Sequence, residues 1–99
     1  MKIILDDRRL MPEKGPYNCV RTYEDCIFLV RNFHTISFIS LDYDLTGKET
    51  GFDVLVYMVE NGNDVKHINI HSDHSIGVPK MRTYIEKHFP STSLTFNPL

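Results

Sequence analysis

Residues 35–44, Thr-Ile-Ser-Phe-Ile-Ser-Leu-Asp-Tyr-Asp, decide the fold. From Thr35 to Leu41 the residues alternate and favour β-structure, and the run then stops at an acidic tip, Asp42-Tyr43-Asp44. Such a tip is typical of parallel α/β sheets, in which ligands bind beyond the carboxyl ends of the strands. We therefore predict a strand over 35–41 that ends at a functional loop.

The amino terminus repeats this pattern. Lys2 to Leu5 is a short apolar run that ends at Asp6-Asp7, which predicts a buried strand with a second acidic tip. Residues 8–16 contain two prolines and a glycine, so a helix is not expected there. Residues 17–21 then predict another short strand.

The rest of the chain alternates between helices and strands. Helices are predicted after the N-cap Thr22 and over 52–60 and 79–89, and strands over 67–71 and 94–96. The order β-β-α-β-α-β-α-β predicts an α/β fold with a mainly parallel five-stranded sheet. Because the last two strands are apolar on one side only, we expect three helices mainly on one face and a partly open, polar face opposite. A homodimer through that open face is a candidate assembly.

Length, charge and cysteine content limit the class of protein. The 99 residues predict one domain over residues 1–99. A formal charge of −2 gives no broad basic field, which argues against sequence-independent nucleic-acid binding. The apolar runs are too short to span a bilayer, so no membrane partner is expected. With two cysteines, Cys19 and Cys26, and no recognisable signal peptide, we expect a cytoplasmic protein with reduced thiols.

The strand tips are predicted to meet at one edge of the sheet. Asp6 and Asp7 follow the first strand, Asp42 and Asp44 follow the third, and Ser72 follows the fourth. Carboxylates this close raise one another's pKa unless a cation binds among them. Because the ligands are oxygens, the expected cation is Mg²⁺ or Mn²⁺ rather than zinc, held by Asp6, Asp7 and Asp42.

Three motifs resemble the receiver domain of response regulators: Leu5-Asp6-Asp7, Leu41-Asp42-Tyr43-Asp44-Leu45 and Gly51-Phe52-Asp53-Val54-Leu55. The resemblance implies a flavodoxin-like, receiver-like fold. It implies that Asp6 and Asp7 bind a metal and that Asp42 is the phospho-accepting residue. It also implies that Asp44 offers a backbone carbonyl to the metal and that Ser72 supplies the hydroxyl that ends the fourth strand.

Two features depart from the receiver pattern. Asn97 stands where receivers carry a lysine, and an amide does not replace the charge of that lysine. The first and last receiver helices are missing. Both cover the same face in receivers, so we expect a trimmed fold with that face bare. A phospho-accepting signalling receiver is therefore kept only as an alternative.

A narrower resemblance spans nearly the whole chain. The segment Ser40-Leu41-Asp42-Tyr43-Asp44-Leu45, with Ile70-His71-Ser72 followed by Gly77 and Met81, is similar to the divergent cyclic-phosphate-processing receiver-like domains. This resemblance implies that the partner is a small phosphate-bearing ligand, either a cyclic nucleotide or an RNA end with a cyclic phosphate.

Basic and ionisable residues beside the acidic tips suggest the chemistry. His71 and His74 are candidate acid and base for opening a cyclic phosphodiester, with Asp42 as the third catalytic residue. Arg8 and Arg9 are candidates for bidentate contact with a phosphate.

The predicted function is thus a divalent-metal-dependent phosphoesterase that processes a cyclic phosphate, with Ser72 contacting the phosphate. A zinc site built from His71, His74 and an aspartate is the alternative ligand set. A non-catalytic pseudo-receiver that binds a nucleotide or a protein is the alternative function.

Overall fold

The computed structural model describes residues 1–8 and 15–98, so the predicted phosphate contact Arg9 lies outside the described residues. The elements in chain order are β1 (Lys2–Leu5), β2 (Tyr17–Val20), α1 (Tyr23–Asn32), β3 (Thr35–Ile36), β4 (Phe38–Leu41), α2 (Gly51–Glu60), β5 (Asp64–Val65), β6 (His67–Ile70), α3 (Gly77–His88) and β7 (Ser93–Thr95). Five of the strands form one sheet in the order β2-β1-β4-β6-β7, and β3 and β5 form a separate pair.

The pairing of the strands places their carboxyl ends side by side. All neighbours in the five-stranded sheet run parallel, with Leu5 opposite Val20 and Leu41, and Leu41 opposite Ile70. The predicted parallel sheet is confirmed, and the strands that carry the two acidic tips, β1 and β4, are neighbours in it. Within the described part of the chain, no helix lies between β1 and β2 and none follows β7.

All three helices cover the same face of the sheet. Alternate residues of the central strands, such as Ile3 and Ile39, belong to one buried cluster with Val30 of α1, Leu55 of α2 and Met81 of α3. Since side chains alternate between the faces of a strand, the helices must lie on the face that carries Ile3 and Ile39. The expectation of three helices mainly on one face is confirmed.

The opposite face, called the open face below, carries polar and aromatic residues. Ser40 and Asn69 lie on it, each next to a core residue of its own strand. Nearer the amino ends of the strands, the rings of Tyr17, Phe38 and His67 form a row with centroids 5.8 and 5.2 Å apart. The polar face expected from the one-sided strands is therefore present.

Ser37 interrupts the strand that was predicted over 35–41. Its backbone N–H and its hydroxyl both donate to the carbonyl of Met1, at 2.9 and 3.0 Å. The first part of the predicted strand becomes β3, and Ile36 of β3 pairs with Val65 of β5. The prediction of one continuous strand was wrong, because this break and the β3–β5 pair depend on contacts between distant segments.

Side-chain caps explain where the helices begin. The Thr22 hydroxyl accepts a hydrogen bond from the first turn of α1, at 3.1 Å, and the Thr50 N–H donates to the Asp53 carboxylate of α2, at 2.7 Å. α3 begins at Gly77, two residues before the predicted start at Pro79. None of the helices in the described residues is long and apolar enough to cross a membrane.

Candidate metal and phosphate site

The acidic residues continue the hydrogen bonding of the sheet beyond the strands. The backbone N–H groups of Asp6, Asp42 and His71 donate to the last carbonyl of a neighbouring strand, at 3.2, 3.2 and 3.1 Å. Three adjacent strands therefore fix these residues in register. One ligand atom from each of the three side chains lies within 4.8 Å of the other two.

A cleft of about 250 Å³ opens at this edge of the sheet. Its lining residues are Asp6, Asp7, Arg8, Asp42, Asp44, Ser72 and Asp73. Six of these are predicted site residues. Asp73 was not predicted, although it stands directly beside Ser72 in the sequence.

Asp6 is fully buried beneath the cleft. One carboxylate oxygen accepts a hydrogen bond from the backbone N–H of Arg8, at 2.9 Å, and the other lies 3.1 Å from Nε2 of His71. The Arg21 guanidinium donates to the backbone carbonyl of Asp6, at 3.2 Å. Arg21 was not predicted as part of the site. These contacts hold the Asp6 carboxylate in one orientation.

Asp7 carries an unsatisfied oxygen. Its side chain is only 4% exposed, and its Oδ2 accepts a hydrogen bond from the Thr46 hydroxyl at 2.6 Å. Its Oδ1 is buried and has no hydrogen-bond partner among the described residues. The charged group of Arg8 lies 3.9 Å away, beyond hydrogen-bond distance. A buried carboxylate oxygen without a donor is unfavourable, so this atom points to a missing partner.

Asp42 is half-buried, and its pKa is raised above the ordinary value. The first cause is burial, which disfavours the charged carboxylate, and the second is the nearby negative charge of Asp6. The neighbouring His71 imidazole and hydrogen bonds from the Ser72 hydroxyl and the Tyr43 backbone oppose this rise. Two carboxylates in one cluster thus repel each other, as the sequence predicted.

Gly51 brings the start of α2 against Asp42. A Cβ atom at Gly51 would lie 2.0 Å from the backbone carbonyl oxygen of Asp42, so only glycine fits. The Gly51 N–H donates to the carbonyl of Tyr43, at 2.9 Å. The glycine of the predicted receiver motif therefore positions the loop that carries Asp42 and Asp44.

The remaining predicted residues of the cleft are more exposed. The Arg8 side chain is 83% exposed and the Asp44 carboxylate 65% exposed, so both can reach a ligand at the mouth of the cleft. The Ser72 hydroxyl bonds to Asp42 and accepts a hydrogen bond from the backbone N–H of His74, at 3.2 Å.

His74 lies at the side of the cleft and is held by the start of α3. Its Nδ1 accepts a hydrogen bond from the backbone N–H of Gly77, at 2.8 Å, and its ring stacks on Tyr43 with centroids 4.5 Å apart. A backbone N–H can only donate, so Nδ1 carries no proton and the ring proton is on Nε2. That atom lies 3.9 Å from the Asp44 carboxylate.

His71, by contrast, lies beneath the carboxylates of Asp6 and Asp42, which are called the acidic cluster below. Its side chain is 0% exposed, and it is not among the residues that line the cleft. Nδ1 lies 2.7 Å from the Ser40 hydroxyl, which itself accepts a hydrogen bond from the Asn69 amide at 3.0 Å. The sequence showed that polar residues alternate along these strands, but it did not show that Ser40 and Asn69 are partners of His71. Their pairing depends on strand register.

The donor set fits a hard divalent cation. Asp7 offers an oxygen without a partner, and Asp42 offers a carboxylate whose charge is unfavourable where it stands. Mg²⁺ prefers oxygen ligands and retains several waters, which suits a cleft with few direct protein ligands.

Comparison with known proteins adds one match. A family model described as a cyclic-phosphate processing receiver domain matches residues 1–87. The matched segment contains both acidic tips, Ser72 and His74, and it ends before β7 and Asn97. No curated protein and no solved structure matches the chain at a significant level.

Proposed function

The chain belongs to the family of cyclic-phosphate processing receiver domains, and on this premise we propose that it is a divalent-metal-dependent phosphoesterase that opens a cyclic phosphate. The observation that carries the proposal is the buried Oδ1 of Asp7, which has no hydrogen-bond partner in the described residues and lines the same cleft as Asp42. A cation bound by Asp7 and Asp42 would give the unsatisfied Asp7 oxygen a partner and would offset the repulsion between Asp42 and Asp6.

The proposed cation is Mg²⁺ or Mn²⁺. Asp7 and Asp42 would hold it directly, with Asp6 and the backbone carbonyl of Asp44 completing the predicted set. When bound, the cation would neutralise charge on the phosphate and promote ionisation of a water molecule.

The side chains of the cleft supply the proton transfers. The reaction forms a bond between a water oxygen and phosphorus and breaks one P–O ester bond of the ring. The Asp42 carboxylate oxygen that would not bind the cation accepts the proton of the attacking water. The Nε2–H of His74 donates a hydrogen bond to the departing oxygen, and the proton taken up by Asp42 passes to that oxygen through the solvent. Arg8 donates hydrogen bonds to the phosphate oxygens, and the Ser72 hydroxyl turns from Asp42 to donate to them when substrate binds.

His71 has a different part in this proposal. Both histidines were predicted to act as acid or base, but the His71 side chain is wholly buried and His74 is 32% exposed. We therefore assign the contact with the departing oxygen to His74. His71 acts through Asp6, which it contacts at 3.1 Å.

The proposal is tested with a panel of cyclic mononucleotides, cyclic dinucleotides and RNA ends carrying a 2′,3′-cyclic phosphate. We expect hydrolysis of at least one substrate with Mg²⁺ or Mn²⁺ and none in chelator. Asp42→Asn should lower the rate by about 10²–10⁴-fold, the usual contribution of a general base. The control Asp64→Asn changes an exposed carboxylate that pairs with Lys66, and it should leave the rate unchanged. Hydrolysis that persists in chelator, or in Asp42→Asn, contradicts the proposal.

A non-catalytic pseudo-receiver is the second candidate. Arg8 is the only cationic side chain among the described residues that line the cleft, whereas a phosphorelay receiver needs a lysine there. This makes phosphorelay signalling the weakest alternative. Thermal stabilisation by a cyclic nucleotide without product formation would favour the pseudo-receiver over the enzyme.

We also propose that the open face forms the interface of a homodimer in the cytoplasm. The row of Tyr17, Phe38 and His67 borders a groove of about 320 Å³ there. Light scattering that gives the mass of a dimer, and that of a monomer for Phe38→Glu, would support this interface. A monomeric wild-type protein removes it.

A further inference from the structure

A continuous chain of hydrogen bonds, buried from Asn69 onward, runs across the open face to the acidic cluster. It begins at the backbone of Asn97, passes through Asn69, Ser40 and His71, and ends at the carboxylate of Asp6. Asn69, Ser40, His71 and Asp6 are all buried. The donors and acceptors in such a chain can be assigned one after another, because each group has a fixed capacity to donate and accept.

The first assignment concerns the amide of Asn69. Its Oδ1 accepts a hydrogen bond from the backbone N–H of Asn97, at 3.0 Å, and its Nδ2 donates to the carbonyl of the same residue, at 2.9 Å. The Thr95 hydroxyl also bonds to Oδ1, at 2.6 Å. A backbone N–H only donates and a carbonyl only accepts, so these contacts exclude the flipped amide.

The second assignment follows for Ser40. The Asn69 Nδ2 lies 3.0 Å from the Ser40 hydroxyl and is a donor, so the hydroxyl oxygen accepts from it. The other hydrogen-bond partner of this hydroxyl among residues 1–8 and 15–98 is Nδ1 of His71, at 2.7 Å. Of these two partners only His71 can accept, so the Ser40 hydroxyl donates its hydrogen to Nδ1.

We infer that the backbone of Asn97, acting through Asn69 and Ser40, fixes the tautomer of His71. In this tautomer Nε2 carries the proton and donates it in a hydrogen bond to Asp6. Nε2 therefore has no lone pair to offer to a cation bound by the neighbouring carboxylates. Nδ1 is occupied by the Ser40 hydroxyl, which leaves the ring proton on Nε2, 3.1 Å from the Asp6 carboxylate. His71 is therefore a positioning residue for Asp6. Asn97, which stands where receivers carry a lysine, acts through its main chain.

The tautomer has a consequence for metal selectivity, and this part rests on the proposed metal site. An imidazole nitrogen within 4.8 Å of two carboxylate oxygens makes a mixed nitrogen–oxygen site, which favours transition metals such as Co²⁺. Turning the lone pair of Nε2 toward a cation would need a proton on Nδ1. The Ser40 hydroxyl would then lose its acceptor while buried, which opposes the change by roughly ten- to a hundredfold. The network thus keeps the site an oxygen site suited to Mg²⁺.

The tautomer is measured on the metal-free protein by nitrogen-15 NMR of the imidazole rings, with the His71 signals assigned by their loss in His71→Gln. We expect an unprotonated Nδ1 and a protonated Nε2. In Asn69→Asp the side chain no longer donates, so the Ser40 hydroxyl turns to the new carboxylate and accepts from Nδ1 instead. In this variant we therefore expect a protonated Nδ1 and an unprotonated Nε2, the reverse of the wild type. A wild-type proton on Nδ1, or a folded Asn69→Asp protein with unchanged signals, overturns the inference.

Two further variants complete the test: one replaces Asn69→Asp if that protein does not fold, and the other is a control for changes elsewhere on the open face. If Asn69→Asp does not fold, Ser40→Ala decides the matter, because the Nδ1 signal should move to the position of a nitrogen without a hydrogen-bond donor. An unmoved signal overturns the inference. Thr95→Val is the matched control: it removes another hydrogen bond to the Asn69 amide but leaves the Asn97 contacts intact, and the tautomer should not change.

Metal selectivity gives the second readout. Electron spin echo spectra of Mn²⁺-loaded wild type should lack coupling to a directly bound imidazole nitrogen. In Asn69→Asp this coupling should appear, and the ratio of Co²⁺ to Mg²⁺ affinity should rise roughly ten- to a hundredfold. Imidazole coupling in the wild type that disappears in His71→Gln overturns the inference. Failure of any cation to bind overturns the proposed function and this consequence, while the nitrogen spectra still decide the tautomer.

Discussion

The two faces of the sheet use neighbouring residues of the same strands for different purposes. On the covered face, residues such as Ile39 join a single apolar cluster with all three helices. On the open face, Ser40, one residue further along, is equally buried but belongs to a chain of hydrogen bonds that ends at Asp6. The covered face therefore accounts for folding, and the open face orients the acidic cluster. Ser40 can be buried there because its hydroxyl both accepts a hydrogen bond, from Asn69, and donates one, to His71.

The largest expected effect comes from breaking the covered face. Ile39→Ala removes a fully buried side chain from the core, and we expect the free energy of unfolding to fall by about 2–5 kcal/mol. Ser40→Ala, its neighbour on the open face, leaves a buried amide hydrogen and a ring nitrogen without partners. It should cost about 1–3 kcal/mol. Urea denaturation of both variants measures the difference. A larger loss in Ser40→Ala would show that the open face dominates folding.

The next effect concerns the contact between the core and the acidic tip. Gly51→Ala places a Cβ against the carbonyl of Asp42, which must shift, and we expect a loss of about 1–3 kcal/mol. Thermal stabilisation by Mg²⁺ should also decrease, because Asp42 is displaced. The control Gly47→Ala meets nothing within 4 Å and is strained only by its φ of +109°. It should retain the Mg²⁺ effect, and equal Mg²⁺ responses in both variants would contradict this reading.

A smaller effect, of opposite sign, is expected from removing the charge repulsion in the cluster. The folded state raises the pKa of Asp42 above the ordinary value of 3.8, so the native protein keeps this proton to a higher pH than the unfolded chain. The free energy of unfolding therefore falls as the pH rises from about 3.8 through the folded pKa.

Asp42→Asn should remove the loss of stability that accompanies ionisation of Asp42. In chelator at neutral pH we expect a higher melting temperature than that of the wild type, and no increase at a pH below 3.8. Melting temperatures across this range, with Asp64→Asn as the exposed control, measure the difference. A benefit that is the same at every pH would rule out ionisation of Asp42 as its cause.

The smallest effect on stability is expected at the exposed cysteine, and thiol labelling compares it with the buried one. Cys26 lies in the core, where burial raises the pKa of its thiol to about 12, and Cys19 is exposed on the open face beside Ile4. A thiol reagent should label Cys19 in the native protein and Cys26 only after unfolding, because the thiolate is the reactive form. Cys19→Ser should change stability by no more than about 0.5 kcal/mol. Mass spectrometry of the labelled protein gives the count, and rapid native labelling of Cys26 would contradict its burial.

The parallel sheet and its acidic edge were predictable because they follow from local patterns. A short apolar run that ends in carboxylates was enough to place Asp6 and Asp42 at one edge, since parallel strands bring their carboxyl ends together. The helix boundaries were predictable to within two residues from caps such as Thr22. The break at Ser37 was not, because it depends on the carbonyl of Met1, which no local pattern reveals.

The sequence by itself determined the α/β class, the covered and open faces and the acidic composition of the tip, because all of these arise from the spacing of apolar and polar residues along the chain. Only the tertiary structure decided which histidine lies under the cluster and which lies beside the cleft. It also decided that Asp7 has an unsatisfied oxygen and that Asn97 contacts Asn69 through its backbone. These properties depend on strand register and burial, and neither is set by neighbours in sequence.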